Sequence, residues 1–319
     1  MSRIRSFLLT AAVAGAVLAP SAATAQGAPT TLAVESAPTR VAAYDDVVMW
    51  SRFDPTTQTY SLVKSVDGGA PTNVGVAARA GGPFDIDLGT NRSGATYAVY
   101  TRGDGDIYRL NVATGREVKI TKLSSETLDE RDPTIMRGEI AFIRRDGGYD
   151  QLRIGNTTSG SKGSRLIVKK RSILSAELGF SHVAYVESVP ADFREVRVRN
   201  RNIRTGADRM IYRARSGGAN AADVTRPSFT PSPQAFVWAR TNVGSGTGNR
   251  LVRYTLSGSR LSYAPGSPFY NSTAWLGGEL GAATASSLDN GESQGACVDA
   301  STNHCTVQLT GPLQFSLRP

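Results

Sequence analysis

A glycine turn that recurs six times along this 319-residue chain constrains its fold more than any other feature. Each copy follows a short alternating strand, and glycine suits such a turn because tight hairpins need the positive φ that it adopts freely. Successive turns are 45 to 53 residues apart. The six lie at Gly68-Gly69, Thr114-Gly115, Ser159-Gly160, Thr205-Gly206, Ser257-Gly258 and Thr310-Gly311. This spacing predicts a series of similar β-units.

Each unit also has a hydrophobic and aromatic strand ahead of the alternating strand, and a short strand after the turn. Five hydrophobic strands are clear, starting at Val48, Ala98, Ala141, Ala184 and Phe236, and a weaker sixth is predicted at 281–284. Four strands repeated every 40 to 50 residues are typical of a propeller blade. The sequence therefore predicts an all-β fold, a β-propeller of six blades with four antiparallel strands each. A pair of β-sandwiches would not explain the turns, and seven blades would need more residues.

Part of the chain resembles a known class of propellers. The segments Tyr97–Arg102, Asp106–Gly115 and Asp132–Phe142 are similar to the WD40-like (PD40-type) repeats of TolB-like propellers. Phe84–Gly89 is similar to the blade opening of secreted propellers from high-GC Gram-positive bacteria. The resemblance covers residues 80–170 most clearly and implies a binding scaffold in the cell envelope or outside it.

Two departures from that class argue against a role in the Tol envelope complex. TolB proteins carry an α/β domain ahead of the propeller, whereas the first blade predicted here begins soon after the N-terminal segment. The aspartate-glycine turn before the aromatic strand is also largely replaced, by Arg137-Gly138 in one blade and Ser93-Gly94 in another. The resemblance therefore implies a fold and leaves the ligand open.

The N-terminal segment has the organisation of a secretory signal peptide. Two arginines precede an uncharged apolar run over residues 7–18, and Ala23-Thr24-Ala25 supplies the small residues that a signal peptidase requires. We place the cut between Ala25 and Gln26, which leaves residues 26–319 as one propeller domain. Because a membrane-spanning helix needs roughly 20 apolar residues, we expect a secreted protein, extracellular or periplasmic, that does not span the membrane.

The two cysteines, Cys297 and Cys305, are the only ones in the chain. The segment between them contains turn-forming residues, so two paired strands would bring the sulfur atoms together. In an oxidising compartment this pattern predicts a disulfide. The alternative, a metal site, would need four ligands, and only His304 or the distant His182 is at hand.

The formal net charge of +9 falls to +7 once the signal peptide is removed, and arginine contributes most of it. Arg197, Arg199 and Arg201 alternate with valines, so they should lie on one face of a strand. Such a stripe is able to bind a row of carboxylates or phosphates. The alternative is an exposed outer strand that is kept charged to prevent edge-to-edge aggregation.

Few residues are available for catalysis. The chain has only two histidines, His182 and His304, which argues against a histidine-based triad or a zinc centre, and His182 is best explained as a satisfied sheet histidine. Propeller glycosidases and lactonases use carboxylates around the channel, sometimes with calcium. The candidate carboxylates here are Asp85, Asp87, Asp104, Asp106, Asp132 and Asp150. Asp106 and Asp150 also suit strand starts after turns, where aspartate accepts main-chain hydrogen bonds.

These observations predict a monomeric, non-enzymatic binding module with no cofactor or catalytic metal. Its positive surface favours an anionic cell-envelope polymer or a protein partner, and no nucleic acid is expected outside the cytoplasm. The alternative is a propeller hydrolase or lyase that uses carboxylates at the central channel. An enzyme should gather several carboxylates at the channel, whereas a binding module should present basic or aromatic clusters on one face.

Overall fold

The fold is described by a computed structural model that covers the chain from residue 30 onward with gaps. The described residues are 31–37, 39–157, 163–189, 195–213, 226–227 and 229, together with the backbone of 30, 214–215, 222–224, 228, 235–242, 250–255, 260–264, 274–276, 279–286 and 305–310. These residues contain 26 β-strands and no helix, as expected for an all-β chain. No helix suited to crossing a membrane is found among them.

The strand β1 (Thr30–Glu35) precedes four sheets that follow one another along the chain, each with four antiparallel strands in sequential order. The first contains β2 (Val41–Tyr44), β3 (Val47–Asp54), β4 (Thr59–Val66) and β5 (Thr72–Asn73), and β6 (Arg79–Ala80) also pairs with β4. The second contains β7 (Asp87–Thr90), β8 (Thr96–Thr101), β9 (Ile107–Asn111) and β10 (Glu117–Lys119). The third contains β11 (Glu130–Met136), β12 (Glu139–Asp146), β13 (Tyr149–Asn156) and β14 (Arg165–Lys170). The fourth contains β15 (Ile173–Leu178), β16 (His182–Ser188), β17 (Glu195–Asn202) and β18 (Asp208–Arg215).

The remaining strands belong to two further groups. One comprises β19 (Ala222–Val224), β20 (Ser228–Phe229), β21 (Ala235–Asn242), β22 (Arg250–Thr255) and β23 (Arg260–Ala264). The other comprises β24 (Ala274–Leu276), β25 (Glu279–Ser286) and β26 (Cys305–Thr310). β26 pairs antiparallel with β1, a pairing that the sequence left undecided. β24 pairs parallel with β2 at one position, Tyr44 with Trp275.

Hydrophobic side chains pack between successive sheets. Met49 and Leu62 of the first sheet pack with Phe84, Ala98 and Tyr100 of the second, and the same arrangement is repeated between the later sheets. A sheet covered on both faces needs apolar residues on both sides of its central strands. This explains why the second strands are continuous hydrophobic runs in the sequence.

The first strands of the four sheets lie side by side around a common axis. β2 contacts β7, β7 contacts β11, and β11 contacts β15. Four-stranded antiparallel sheets that stack face to face with their first strands innermost are the blades of a β-propeller. The predicted all-β propeller is therefore confirmed, with four blades of four antiparallel strands, here called blades 1 to 4.

Candidate functional site

Arg226 lies at the centre of the ring of first strands. Its Nη1 donates to the carbonyl of Ile86 at 3.3 Å and its Nη2 to that of Pro133 at 2.8 Å. Its Nε lies 3.1 Å from both the Ala176 carbonyl and Oε2 of Glu177. One guanidinium therefore contacts the innermost segments of blades 2, 3 and 4.

Four carboxylates surround this guanidinium, and we call them, with Arg226, the central cluster: Asp85, Asp87, Asp132 and Glu177. Asp85 accepts hydrogen bonds from Thr101 N at 2.7 Å within its own blade and from Asp132 N at 2.7 Å in the next blade. Asp87 likewise accepts from Ile135 N of the next blade at 2.8 Å. These carboxylates thus join neighbouring blades.

The electrostatics of the central cluster follow from its burial. Burial raises the pKa of Glu177 well above its usual value, and nearby Asp87 adds to the rise while Arg226 opposes it. Burial likewise raises the pKa of Asp87, again against the attraction of Arg226. Burial alone would lower the pKa of Arg226, but Asp87 and Glu177 more than offset this and raise it. The cluster therefore holds its guanidinium charged and favours a proton on Asp87 and Glu177.

Asp132 occupies the edge of the central cluster in an unusual backbone conformation. Its φ is +55°, and its Oδ1 accepts a 2.8 Å hydrogen bond from Nη1 of Arg40, which reaches across from blade 1. Arg40 is half exposed, whereas the Asp132 side chain is 4% exposed. Its Oδ2 has no hydrogen-bond partner among the described residues.

The three predicted stripe arginines lie together on β17 but are already paired with acids. Arg197 and Arg199 lie 3.8 Å and 3.6 Å from Oε1 of Glu187, and Arg199 and Arg201 lie 3.0 Å and 3.6 Å from Asp208. Because β18 lies outside β17, the interpretation as an outer strand is wrong. The stripe arginines are part of an ion-pair network between β16, β17 and β18.

A different set of cations lies at one end of the propeller, beside the turns that join first to second strands. Arg137-Gly138 joins β11 to β12, and a side chain at Gly138 would lie 3.5 Å from Cγ of Arg92 in the corresponding turn of blade 2. The Arg137 guanidinium stacks 4.4 Å from the ring centre of Phe180 in the turn of blade 4. These three turns therefore touch one another in series.

Two more arginines extend this surface across blades 3 and 4. The amide of Ile203 donates to the Ser181 carbonyl at 2.9 Å, and Nη2 of Arg165 donates to the Ile203 carbonyl at 3.2 Å. We define the channel-mouth surface by its exposed members, Arg92, Arg137, Arg165, Phe180 and Arg204. None of its four arginines forms an ion pair with any residue of the described part of the chain.

Solved structures with similar folds include several propeller proteins. An oligogalacturonate lyase in complex with manganese has a TM-score of 0.54 at 13% identity, over 84% of this chain and 77% of its own. TolB from Acinetobacter baumannii has a TM-score of 0.51 at 14% identity, over 70% of this chain and 53% of its own. A puromycin-hydrolysing peptidase from Mycobacterium tuberculosis has a TM-score of 0.51 at 12% identity, over 78% and 49%. The chain thus spans about half the length of the latter two.

This chain is a β-propeller structurally similar to TolB-like propellers. At these identities the similarity concerns the fold alone. No family model and no curated protein sequence matches the chain.

Of the six carboxylates singled out in the sequence of this propeller, three belong to the central cluster and three do not. Asp104 accepts from the Asp106 amide at 3.1 Å, and Asp106 pairs with Lys119. Asp150 accepts from Ile173 N at 2.7 Å and pairs with two arginines. These three support turns and strand starts, the structural role that the sequence analysis had assigned to Asp106 and Asp150.

Sequence reasoning missed Glu177, Arg226 and Arg40, because nothing local distinguishes them from other charged residues near strands. No group of three or more histidine, cysteine, aspartate or glutamate residues suited to holding a metal ion occurs in the described segments. The cleavage site at Ala25 and Gln26 and the residue Cys297 lie outside the described residues, and Cys305 is the first residue of β26.

Proposed function

We propose that this propeller is an exported, non-enzymatic scaffold that binds an anionic polymer of the cell envelope. The observation that carries the proposal is that the central carboxylates are engaged in hydrogen bonds and ion pairs between blades. Asp85 and Asp87 accept main-chain amides of the neighbouring blade, and Glu177 pairs with Arg226. Groups committed to holding blades together are poorly placed to act as a nucleophile or a proton donor. Four arginines and one aromatic residue, Phe180, are by contrast exposed at the channel-mouth surface.

We further propose that the ring has six blades. Two observations support this count beyond the four described blades: β19 to β23 pair into another sheet, and β24 to β26 with β1 form a four-stranded run. The pairing of β1 with β26 would close the ring by joining the first and last strands. A closed ring leaves no blade face uncovered, in keeping with the apolar character of the predicted sixth strand.

Export and the disulfide between Cys297 and Cys305 are part of the same proposal. The sequence of the first 25 residues supports export. Mass spectrometry of secreted material should find Gln26 as the first residue, and an intact Met1 would contradict the signal peptide. Alkylation with and without reductant should label two cysteines only after reduction.

The binding proposal is tested by co-sedimentation of the purified protein with cell-wall and outer-surface fractions over a salt series. Binding to an anionic polymer should fall steeply with salt, because ions screen exposed charges beyond about 8 Å at physiological ionic strength. Protease treatment of the fractions separates a protein partner from a polymer. If the protein sediments with no fraction at low salt, the proposal is wrong.

A second candidate, a hydrolase or lyase, is favoured by one observation: four carboxylates meet at the channel, and burial raises the pKa of two of them, Asp87 and Glu177. A carboxyl that stays protonated near neutral pH is the form that a general acid needs. Turnover of lactones or acidic glycosides that is lost in Glu177→Gln, while the variant remains folded, would establish this candidate. A calcium-dependent rise in melting temperature would add a metal to it.

A further inference from the structure

The strongest unexplained feature is the set of exposed guanidinium groups at the channel-mouth surface. We propose that this surface binds a polysaccharide whose sugar rings carry carboxylates. The inference rests on the proposed binding function and adds to it a site and a ligand class.

The first support is the contrast in charge pairing. The stripe arginines on β17 face Glu187, Glu195 and Asp208 at ion-pair distance. At the channel-mouth surface the nearest acid along the chain is Glu139, which begins β12, and the four arginines pair with no acid among the described residues. A cluster of unneutralised guanidinium groups repels itself, so an anionic ligand would stabilise it.

The second support is the presence of an arginine in the turn of blade 3. Arg137 and Gly138 have φ of +49° and +78° in a two-residue hairpin turn between Met136 and Glu139. Such a turn favours asparagine followed by glycine, because positive φ crowds Cβ against a neighbouring carbonyl oxygen, which glycine avoids and asparagine tolerates best. Arginine here weakens the turn, so the guanidinium that it presents beside Phe180 suits a role in binding.

The third support is the aromatic ring beside that guanidinium. Phe180 is 36% exposed at a turn tip, and Arg137 covers one face of its ring at 4.4 Å. The apolar face of a sugar ring packs well against an exposed aromatic side chain. A sugar stacked on Phe180 would have the substituents of its own ring next to Arg137, which favours a ring-borne carboxylate over a phosphodiester located between units.

The charge at this end of the propeller differs between blade 1 and blades 2 to 4. The corresponding turn of blade 1 carries Asp45 and Asp46, both exposed. An acidic polymer would be repelled there and attracted at blades 2 to 4, so it should lie along these three blades and not around the whole ring.

The test compares three polymers and three variants of the full chain. Affinity is measured for alginate, a carboxylated polysaccharide, for neutral dextran and for polyphosphate. Arg137→Asn removes the guanidinium and relieves the turn, so it should raise the melting temperature while weakening alginate binding about tenfold. Phe180→Ala should weaken it similarly. Arg116→Asn is the matched control, because it removes one exposed arginine from the outer turn of blade 2, and it should change affinity less than about twofold.

Each outcome separates the inference from the proposed function. Alginate binding that falls with Arg137→Asn and Phe180→Ala but not with Arg116→Asn supports the inference. Equal losses in all three variants, or tighter binding to polyphosphate than to alginate, overturn it and leave envelope binding in place. If the wild type binds envelope fractions but no alginate, the ligand class is wrong. If it binds neither, both proposals are wrong.

Discussion

The indole of Trp50 donates a 2.6 Å hydrogen bond to Oε1 of Glu35 in the interior of the protein. Trp50 is fully buried in β3, and Glu35, the last residue of β1, is 4% exposed. The same carboxylate accepts hydrogen bonds from Arg52, also in β3. Because β1 pairs with β26, Glu35 connects the strand that meets the end of the chain to the core of blade 1.

We expect Glu35→Ala to destabilise the protein by about 3 kcal/mol, because it leaves the buried indole N–H without a partner and removes the charge that faces Arg52. Glu35→Gln keeps an acceptor and should cost less. Urea unfolding monitored by tryptophan fluorescence measures both. Val34→Ala, at a position 59% exposed, is the control and should change stability by at most about 0.5 kcal/mol. Equal stability of Glu35→Ala and wild type would mean that the bond does not hold β1.

The central cluster should make stability depend on pH through Glu177. Burial raises the pKa of this carboxyl above its usual value of 4.5, with Asp87 adding to the rise and Arg226 opposing it. Between the two pKa values the folded state holds a proton that the unfolded state has lost, so stability falls as the pH rises. Glutamine mimics the protonated acid at all pH values. The melting temperature of Glu177→Gln minus that of wild type should therefore increase from pH 4.5 to 8.

A difference that stays constant over this range would contradict the raised pKa of Glu177. A difference that decreases with pH would mean that Arg226 dominates and that the carboxyl is held charged. The charged groups that face Glu177 are Asp87, Asp132 and Arg226, so the double variant Glu177→Gln with Asp87→Asn shows how much of the trend the second acid contributes.

Close packing of first strands predicts a large effect at Gly89 in β7. A Cβ atom at this position would overlap the carbonyl oxygen of Ile135 in β11, and a backbone atom is unable to move aside. We expect Gly89→Ala to cost about 3 kcal/mol, at the upper end for overpacking. Gly103→Ala is the control, because a Cβ there meets nothing within 4 Å. Thermal unfolding of the two variants measures this difference in stability. A Gly89→Ala variant as stable as wild type would show that the blades are able to separate slightly.

The sequence predicted the blade repeat well because its signals are local. The Arg137-Gly138 turn and the hydrophobic run beginning at Val48 each depend on residues next to them in the chain. The site depends on contacts between distant residues: Arg226 binds the Ile86 carbonyl across 140 positions. Alternation predicts that Arg199 shares a strand face with its neighbours, but the acids that pair with it lie on adjacent strands, and only the register brings them together.

The hydrogen bonds of His182 fix its tautomer and predict its titration. Oδ1 of Asn202 accepts the amides of Arg204 and Thr205, both at 2.9 Å. The Asn202 amide nitrogen is thus left to donate to Nε2 of His182 at 3.2 Å. Nε2 is then an acceptor, and the proton on Nδ1 faces the hydroxyl of Ser181 at 2.9 Å. The neutral ring is the form that satisfies all these groups.

Burial lowers the pKa of His182 below its usual 6.5. The unfolded state then binds the proton first, so the stability from this histidine is complete above pH 6.5 and is lost as the pH falls through the folded pKa. Proton NMR of the ring should give a midpoint below 6.5. Asn202→Asp keeps an oxygen for the Arg204 and Thr205 amides but places a carboxylate beside Nε2, which favours the charged ring. The midpoint should therefore rise above that of wild type, and an unchanged midpoint would mean that Nε2 does not face residue 202 in solution.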